Sequence, residues 1–464
     1  MKKTVSARHI LLITGLFIAS RVIVRLCGVQ MEYNALARYW QYLDIDTLKS
    51  DLLNGVFYDH TQPPIFNLLL GTVLKLAGAH SETAFVWMLK SITLANTFLL
   101  YALTKRMTLH KQLPLVFSLI YLLSPATLIF ENELFYTTFI TLCLLIASLF
   151  MLRLQLAITV KNVACFLIPL VIICLTRSMY HLLWLTVVMA LVIFYLRKNE
   201  GVRTLVWGAL IALVVTGSWY AKNKIIFDTF STSSWIGMNM ARNVFHDASA
   251  IDSSRIESIE PFSQISVYAA FLSQDYAKYR GLNDRDLMME MKNDSFTNTK
   301  HIAYLEISDK YLNASKAAIK AHPSSYLKNV LQSAIIFFAP GTRYPTTEHQ
   351  VAHIKYYDIL YSFNLTHFAH GKQQRRIALV ISAFPKILIY LFVFGWLLAR
   401  CLRTRRLQLI HAFTALVIGY IFFISSFFEH YENMRFRFEA EPLFLLLAAV
   451  VTDYYLVNRH SKKV

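Results

Sequence analysis

Two carboxylates, Glu131 and Glu133, sit in the turn FENELFYTT between long apolar runs at 113–130 and 134–152. A charge this close to lipid is costly to leave unpaired, so ionisable residues at such a place are functional candidates by default. Paired acids suit proton transfer or orientation of a polar substrate. They also leave a divalent cation open, although no cluster of ligands fixes one. The plainer reading is that both acids cap the helix starting near Leu134, where negative charge meets the positive end of the helix dipole.

The rest of the chain must carry these residues through a membrane. Of its 464 residues 56% are hydrophobic and only 16% charged, against about 25% charged in a soluble domain. Apolar stretches of the length a bilayer needs recur at 9–28, 84–104, 113–130, 134–152, 162–176, 182–196, 204–220, 379–400, 407–427 and 438–457, predicting an all-α polytopic membrane protein of about ten transmembrane helices. The first stretch carries Arg21 and Arg25, lacks a small-residue cleavage site and leads into further spans, unlike a cleaved signal peptide.

The net charge of +18 would suit nucleic acid, but its distribution excludes that reading. Basic residues gather in alternate short connections: Lys2, Lys3 and Arg8; Lys105, Arg106 and Lys111; Arg153 and Lys161; Arg197, Lys198 and Arg203; Arg400, Arg403, Arg405 and Arg406; Arg459, Lys462 and Lys463. The positive-inside rule puts these, and both termini, in the cytoplasm of a multi-pass protein of a bacterial inner membrane. Glu131 and Glu133 then face outward. Lys372, Arg375, Arg376 and Lys386 fall on the outer side, which long translocated loops tolerate. The five cysteines lie in or beside spans, with neither a disulfide framework nor zinc spacing, and read as small core residues.

Three regions follow: an N-terminal transmembrane module (1–220) with an amphipathic outer loop (29–83), a mostly helical extracytoplasmic loop domain (221–378), and C-terminal transmembrane helices (379–464). In the first loop, Pro63 and Pro64 open PPIFNLLLGTVLKLAG, proline being suited to a first helical turn. Treating that helix as a span would invert every later connection, so it is expected along the outer interface, with Tyr39, Trp40 and Tyr42 as belt residues. The loop domain reads as a helical cap built from stretches such as AAFLSQDYAKY and AYLEISDKYLNASKAAIKAH. Its MEMKND run reads as a solvated helix face, GTRYP as a turn, and the sequons at Asn293, Asn313 and Asn364 as chance-level acceptors.

Three motifs resemble the GT-C glycosyltransferases, in the branch of the protein mannosyltransferases and aminoarabinose transferases. YDHTQPPIFNLLLGTVLKLAG (58–78) is similar to the family's PPLYYxLLAxxxKLFG after the first outer loop. ENELFYTTFITLCLL (131–145) is similar to its acid and apolar stretch in the second outer turn. NMRFRFEAEPLFLLLAA (433–449) is similar to RYxLPxxPLLLLLA before the last span. The resemblance implies a GT-C-like fold and transfer of a sugar from a polyprenyl-phosphate donor to a glycan, lipid or protein acceptor on the extracytoplasmic side. The family usually places an Asp, often Asp-Glu, just after the first span as acid/base. Here CGVQMEYNALARYW puts Val29 or Gln30 there, and the nearby acid is Glu32, with Asp44, Asp46, Asp51 and Asp59 further along.

Such chemistry needs a base for the attacking hydroxyl, for which Glu32, Asp51 and Asp59 are candidates, with Glu131 or Glu133 orienting the acceptor. Its phosphate leaving group needs cations. Arginine binds phosphate bidentately, so Arg435 and Arg437 are the expected donor site, with Arg437 carrying the heavier role. Arg177, Arg343 and His60 follow. The plainer alternatives are lipid anchoring for the arginines, neutralised by Glu429, Glu432, Glu439 and Glu441, and a structural hydrogen bond for His60. A transporter or flippase of a lipid-linked saccharide is the alternative function, but it calls for repeated bundles and mid-membrane charge, whereas most charges here sit at span ends. The topology is checked by cysteine labelling from outside: a probe near Asp284 should react and one near Lys198 should not, and the reverse pattern would move both glutamates to the cytoplasmic side.

Overall fold

The structure, a computed structural model, describes residues 6–246, 276–292, 296–405 and 407–461. It opens with α1 (Ala7–Leu26), then four helices in the first long connection: α2 (Ala35–Arg38), α3 (Ile45–Ser50), α4 (Leu52–Tyr58) and α5 (Pro64–Ala77). Next come α6 (Ser81–Met107), α7 (Leu113–Leu123), α8 (Pro125–Phe130), α9 (Thr137–Leu154), α10 (Val160–Cys174), α11 (Leu182–Leu196) and α12 (Val202–Phe227). The long loop contains α13 (Ile236–Val244), α14 (Asp284–Met288), α15 (Ala303–Ala321), α16 (Pro323–Phe337), α17 (Glu348–His353) and α18 (Lys355–Ser362). The chain ends with α19 (Lys372–Thr404), α20 (Leu409–Phe428), α21 (Asn433–Glu439) and α22 (Glu441–Ser461).

Among the described residues six helices are long and apolar enough to cross a membrane, and a seventh span is added if α21 and α22, bent by 62°, count as one. The apolar helices α7, α10 and α11 are shorter, so the expected count of about ten requires these three as well. Helix α5 continues through a 3-10 turn into α6, and the 44 residues of Pro64–Met107 pass as one apolar unit. At 1.5 Å per residue this unit is about 66 Å long, so much of it lies outside a hydrocarbon layer of about 30 Å. Gly78, at φ +51°, ends α5 in a backbone conformation that favours glycine. The buried face of α5 (Phe66, Asn67, Leu70, Gly71, Leu74) packs on α3, α4 and α6, and Leu76 points out.

The chain is not purely helical: Met291–Lys292 pairs antiparallel with Phe296–Thr297. This falls within and just after the MEMKND run expected as a solvated helix face. The sequon at Asn293 and the 269–275 part of AAFLSQDYAKY lie outside the described residues. Asn313 is on α15. Asn364 is buried and donates to Asp358 Oδ2 at 2.7 Å, so its side chain is committed to a loop network. All five cysteines are free thiols.

One apolar core runs through α5–α7, α9–α12, α20 and α22. The bend before α22 has a covalent cause. Pro442 has no N–H for the carbonyl four residues back, and its ring disfavours a continuous helix there, so the path breaks at Ala440 and restarts with proline in a first turn. In the loop domain, α13 lies so close on α15 that a Cβ on Gly237 would fall 1.8 Å from the Ser308 carbonyl oxygen. Gly237→Ala therefore has to push the two helices apart. The expected cost is about 1–3 kcal/mol or more, as for overpacked cores, read as a lowered thermal midpoint of the purified protein; an unchanged midpoint would mean that the helices do not approach this closely.

Candidate active site

The turn after α8 lies under the first outer loop and beside α21. Tyr42 donates its hydroxyl to the Leu134 carbonyl, which pins the loop onto the turn. Tyr39 and Tyr42 both rest against Phe135, with ring centroids 5.4 and 6.1 Å away. They are core residues of the site and not the interfacial belt expected for them. From the other side, Arg435 on α21 places its guanidinium 4.4 Å from the Phe135 ring centre and 5.2 Å from that of Tyr344. The GTRYP segment, expected as a plain turn, thus supplies a wall of the site.

Around Phe135 several buried polar atoms have no protein partner. Arg435 donates one nitrogen to Glu432 at 2.5 Å, but its Nε and Nη1 are buried and unpartnered. Glu133 is fully buried. Its Oε1 accepts from Thr346 at 3.3 Å and its Oε2 has no partner. The Tyr39 hydroxyl is likewise buried and unpartnered. Burial first, and the charge of Glu32 second, push the Glu133 carboxyl up to about 8, while Thr346, Arg435 and Arg38 work against the rise. Half-buried Glu32 is held by Arg38 at 2.7 Å and His349 at 3.2 Å.

The neighbouring charges are already matched. Arg21 grips Glu131 with two nitrogens, Nε at 2.9 Å and Nη2 at 2.7 Å, and also donates to the Leu122 carbonyl. Arg177 pairs with Glu439, which also accepts from Tyr180 at 2.8 Å. Arg437 donates to the carbonyls of Phe337 (2.8 Å) and Ala339 (3.2 Å) and to Glu441. The free hydrogen-bonding capacity is therefore on Arg435, whereas Arg437 was expected to carry the heavier role. On a short helix, alternate residues face different surroundings: Arg437 meets the end of α16 and Arg435 meets the rings of Phe135, Tyr136 and Tyr344.

The remaining candidates lie elsewhere. Asp59 is buried, accepts from Thr61 and Gln62 backbone N–H groups, and pairs with Lys300 at 3.0 Å. It fastens the first loop to the loop domain. His60 has both ring nitrogens engaged, with Ser234 at 2.8 Å and the Lys300 carbonyl at 3.1 Å, and burial lowers its pKa to about 4, so the ring is neutral. Asp51 is exposed, between α3 and α4, and accepts from Asn54 at 3.0 Å. Among the described residues no group of three or more His, Cys, Asp or Glu is arranged to hold a metal ion. Tyr39, Tyr344 and Thr346 were not expected at the site. An aromatic residue in a loop gives no sequence signal until a partner some ninety positions away, Phe135 for Tyr39 and Arg435 for Tyr344, is known to face it.

No known protein-family profile and no curated protein sequence matches the chain. Two solved structures align over most of its length. One is a crystal structure of ArnT from Cupriavidus metallidurans bound to undecaprenyl phosphate, 12% identical, covering 96% of this chain and 78% of its own, at a TM-score of 0.38. The other is the same protein in its apo state, 12% identical, covering 95% and 76%, at a TM-score of 0.32. Alignment at this level is a likeness in overall helical path and no more.

The Arg21–Glu131 pair gives a direct test of structural against chemical roles. Removing one partner of a buried pair strands the other charge and costs about 3–5 kcal/mol, whereas replacing both with apolar groups costs far less. Glu131→Gln should lower the thermal midpoint sharply, and Arg21→Met combined with Glu131→Leu should recover most of it. A Glu131→Gln protein of normal stability would remove the fastening role.

Proposed function

We propose that this chain is a membrane glycosyltransferase that moves a sugar from a polyprenyl-phosphate donor to an acceptor hydroxyl on the extracytoplasmic side, with Arg435 as the donor-phosphate group and Glu133 as the base. One observation carries this reading. Two unpartnered guanidinium nitrogens of Arg435 lie buried against the Phe135 ring, and the buried, unpartnered carboxylate oxygen of Glu133, two residues before that ring, is close enough to feel the Arg435 charge. A buried donor or acceptor without a partner is expensive, so such atoms gathered at one place mark a site for a polar ligand. The guanidinium suits phosphate oxygens. The carboxylate, raised toward neutral pH, suits a general base. The aromatic lining by Phe135, Tyr136 and Tyr344 suits the faces of a sugar ring.

Glu133 takes the proton of the acceptor hydroxyl as its oxygen bonds to the anomeric carbon. The bond from that carbon to the donor phosphate oxygen breaks, and the electron pair leaves with the phosphate beside Arg435. Glu32, held by Arg38 and His349, keeps Glu133 basic through repulsion. Glu131, Arg177 and Arg437 hold the frame in this scheme, and Asp51, Asp59 and His60 take no part in proton transfer.

Glu133→Gln keeps shape and removes the base. Transfer by lipid-reconstituted protein should fall at least about tenfold, a barrier increase of about 1.4 kcal/mol, with an unchanged thermal midpoint. Arg435→Ala should lose both donor affinity and turnover, because the phosphate is present in ground and transition states, and Arg435→Lys should retain part of each. The pH dependence follows from the sign of the shift. A base must be deprotonated, and a carboxyl near 8 is mostly protonated at lower pH, so kcat/KM should rise with pH and level off above about 8. Full activity in both Glu133→Gln and Arg435→Ala would discard the reading. The donor itself is identified by mass spectrometry of lipid-linked sugars with and without the gene.

A further inference from the structure

At the other end of the bundle, where the basic connections gather, two adjoining cavities open between the helix ends. The larger, about 580 Å³, lies between α11, α19 and α20, and the smaller, about 240 Å³, reaches toward α6 and α22; Arg400, Gln408 and His411 line both. They are far from the candidate active site. From Glu441, paired with Arg437, to Tyr454, which lines the smaller cavity, α22 rises about 20 Å.

Two features mark this place as a binding site. His411 is 3% exposed, and its Nε2 has no hydrogen-bond partner. Arg400 is half-buried and ion-pairs with no carboxylate among the described residues; its guanidinium instead lies over Trp396 at 5.2 Å and Tyr454 at 5.8 Å. The acid lining the smaller cavity, Asp453, is occupied by the backbone N–H groups of Leu109 and His110, at 3.0 and 2.8 Å. The cavities thus offer the guanidinium groups of Arg400 and Arg405 and an unpartnered imidazole nitrogen, with no uncommitted acid among their described lining residues. Such a set accepts an anion with oxygen acceptors.

The surroundings select the form of that anion. Phe194 lines the larger cavity and is well exposed. Aromatic rings and arginine at the ends of membrane helices mark the headgroup level. A phosphate held there by a diacylglycerol places an acyl chain on this ring, whereas a free phosphate leaves it unused. Basic pockets between helices on the cytoplasmic side are a recurrent form of lipid-headgroup site. We propose that this pocket binds the phosphate of one anionic glycerophospholipid, with Arg400 and His411 as the groups that contact it.

The test uses the full-length protein, purified in detergent and mixed with phosphatidylglycerol or phosphatidylcholine, with retained lipid counted by native mass spectrometry. One phosphatidylglycerol should be retained in preference to phosphatidylcholine. Arg400→Gln and His411→Ala should each weaken that retention about tenfold, the scale of losing a charge-assisted contact. Lys161→Gln, at an exposed basic residue on another connection, should leave it unchanged, and millimolar inorganic phosphate should not displace the lipid. Equal retention of the two lipids would reduce the pocket to an apolar crevice and overturn the proposal. An equal loss in Lys161→Gln would replace the site with diffuse surface charge, and displacement by inorganic phosphate would transfer it to a free ion. Should His411→Ala not fold, Arg400→Gln, at a half-exposed position, still decides the matter.

Discussion

A guanidinium removed from water has to find its acceptors within the protein, and that constraint shapes this chain at each place where an arginine is buried. Arg21 on the first helix reaches Glu131, 110 positions on. Arg177 reaches Glu439, and Arg437 reaches two carbonyls at the end of α16. Each pairing joins elements distant in sequence, and each has a single satisfactory geometry. Buried pairs of this kind add little net stability compared with well-packed apolar side chains. Their physical value here is that a helix displaced by one turn would strand a charge, so the pairs hold the apolar helices, which have little directional preference among themselves, in one arrangement.

Against that background the chemistry around Phe135 stands out as a local exception. Arg435 differs from its neighbours because α21 is short and ends at the break imposed by Pro442. A straight helix running from Asn433 into the last span would present its arginines to neighbouring helices alone. The bend instead turns Arg435 toward the outer turn and the Tyr344 segment. The mostly apolar and aromatic walls of the pocket lower the local dielectric, which raises Glu133 and strengthens any contact that Arg435 makes with an anion. The same features that make the site costly to maintain would make it effective on a charged lipid donor.

The two long connections are tied to each other beside this place. Lys300 ties Asp59 and the Gln41 carbonyl to the loop domain, and Lys292 donates to the carbonyls of Tyr39 and Tyr42. Desolvation in that position brings the Lys292 ammonium down to about 7. The aromatic residues beside Phe135 are thus positioned from behind by buried lysines of the loop domain.

Local covalent chemistry made part of this readable from the sequence alone. Runs of apolar residues of bilayer length specify membrane helices because backbone groups in hydrocarbon must bond within the segment. Proline at 63 and 64 marks a helix start because it lacks an N–H, whereas the break before Pro442 fell inside the span expected at 438–457. The acids at 131 and 133 and the arginines at 435 and 437 stood out because charge beside lipid is rare and costly. What the sequence could not supply was the division of labour among them. Glu131 and Glu133 are two residues apart and chemically alike, yet one is gripped by Arg21 and the other keeps an unpartnered oxygen. Arg435 and Arg437 divide in the same way, and Asp59 and His60 turn out to be fully engaged with Lys300 and Ser234. Whether a charged side chain is spent or available depends on which partner faces it across the fold: the two carbonyls that Arg437 meets lie 98 and 100 positions away, and the partners of Glu131 and Arg177 lie 110 and 262 positions away. Residue type and spacing determined the kind of helix and the kind of chemistry; only tertiary packing decided which charges are matched, because pairing is a property of distance in space and not of distance along the chain.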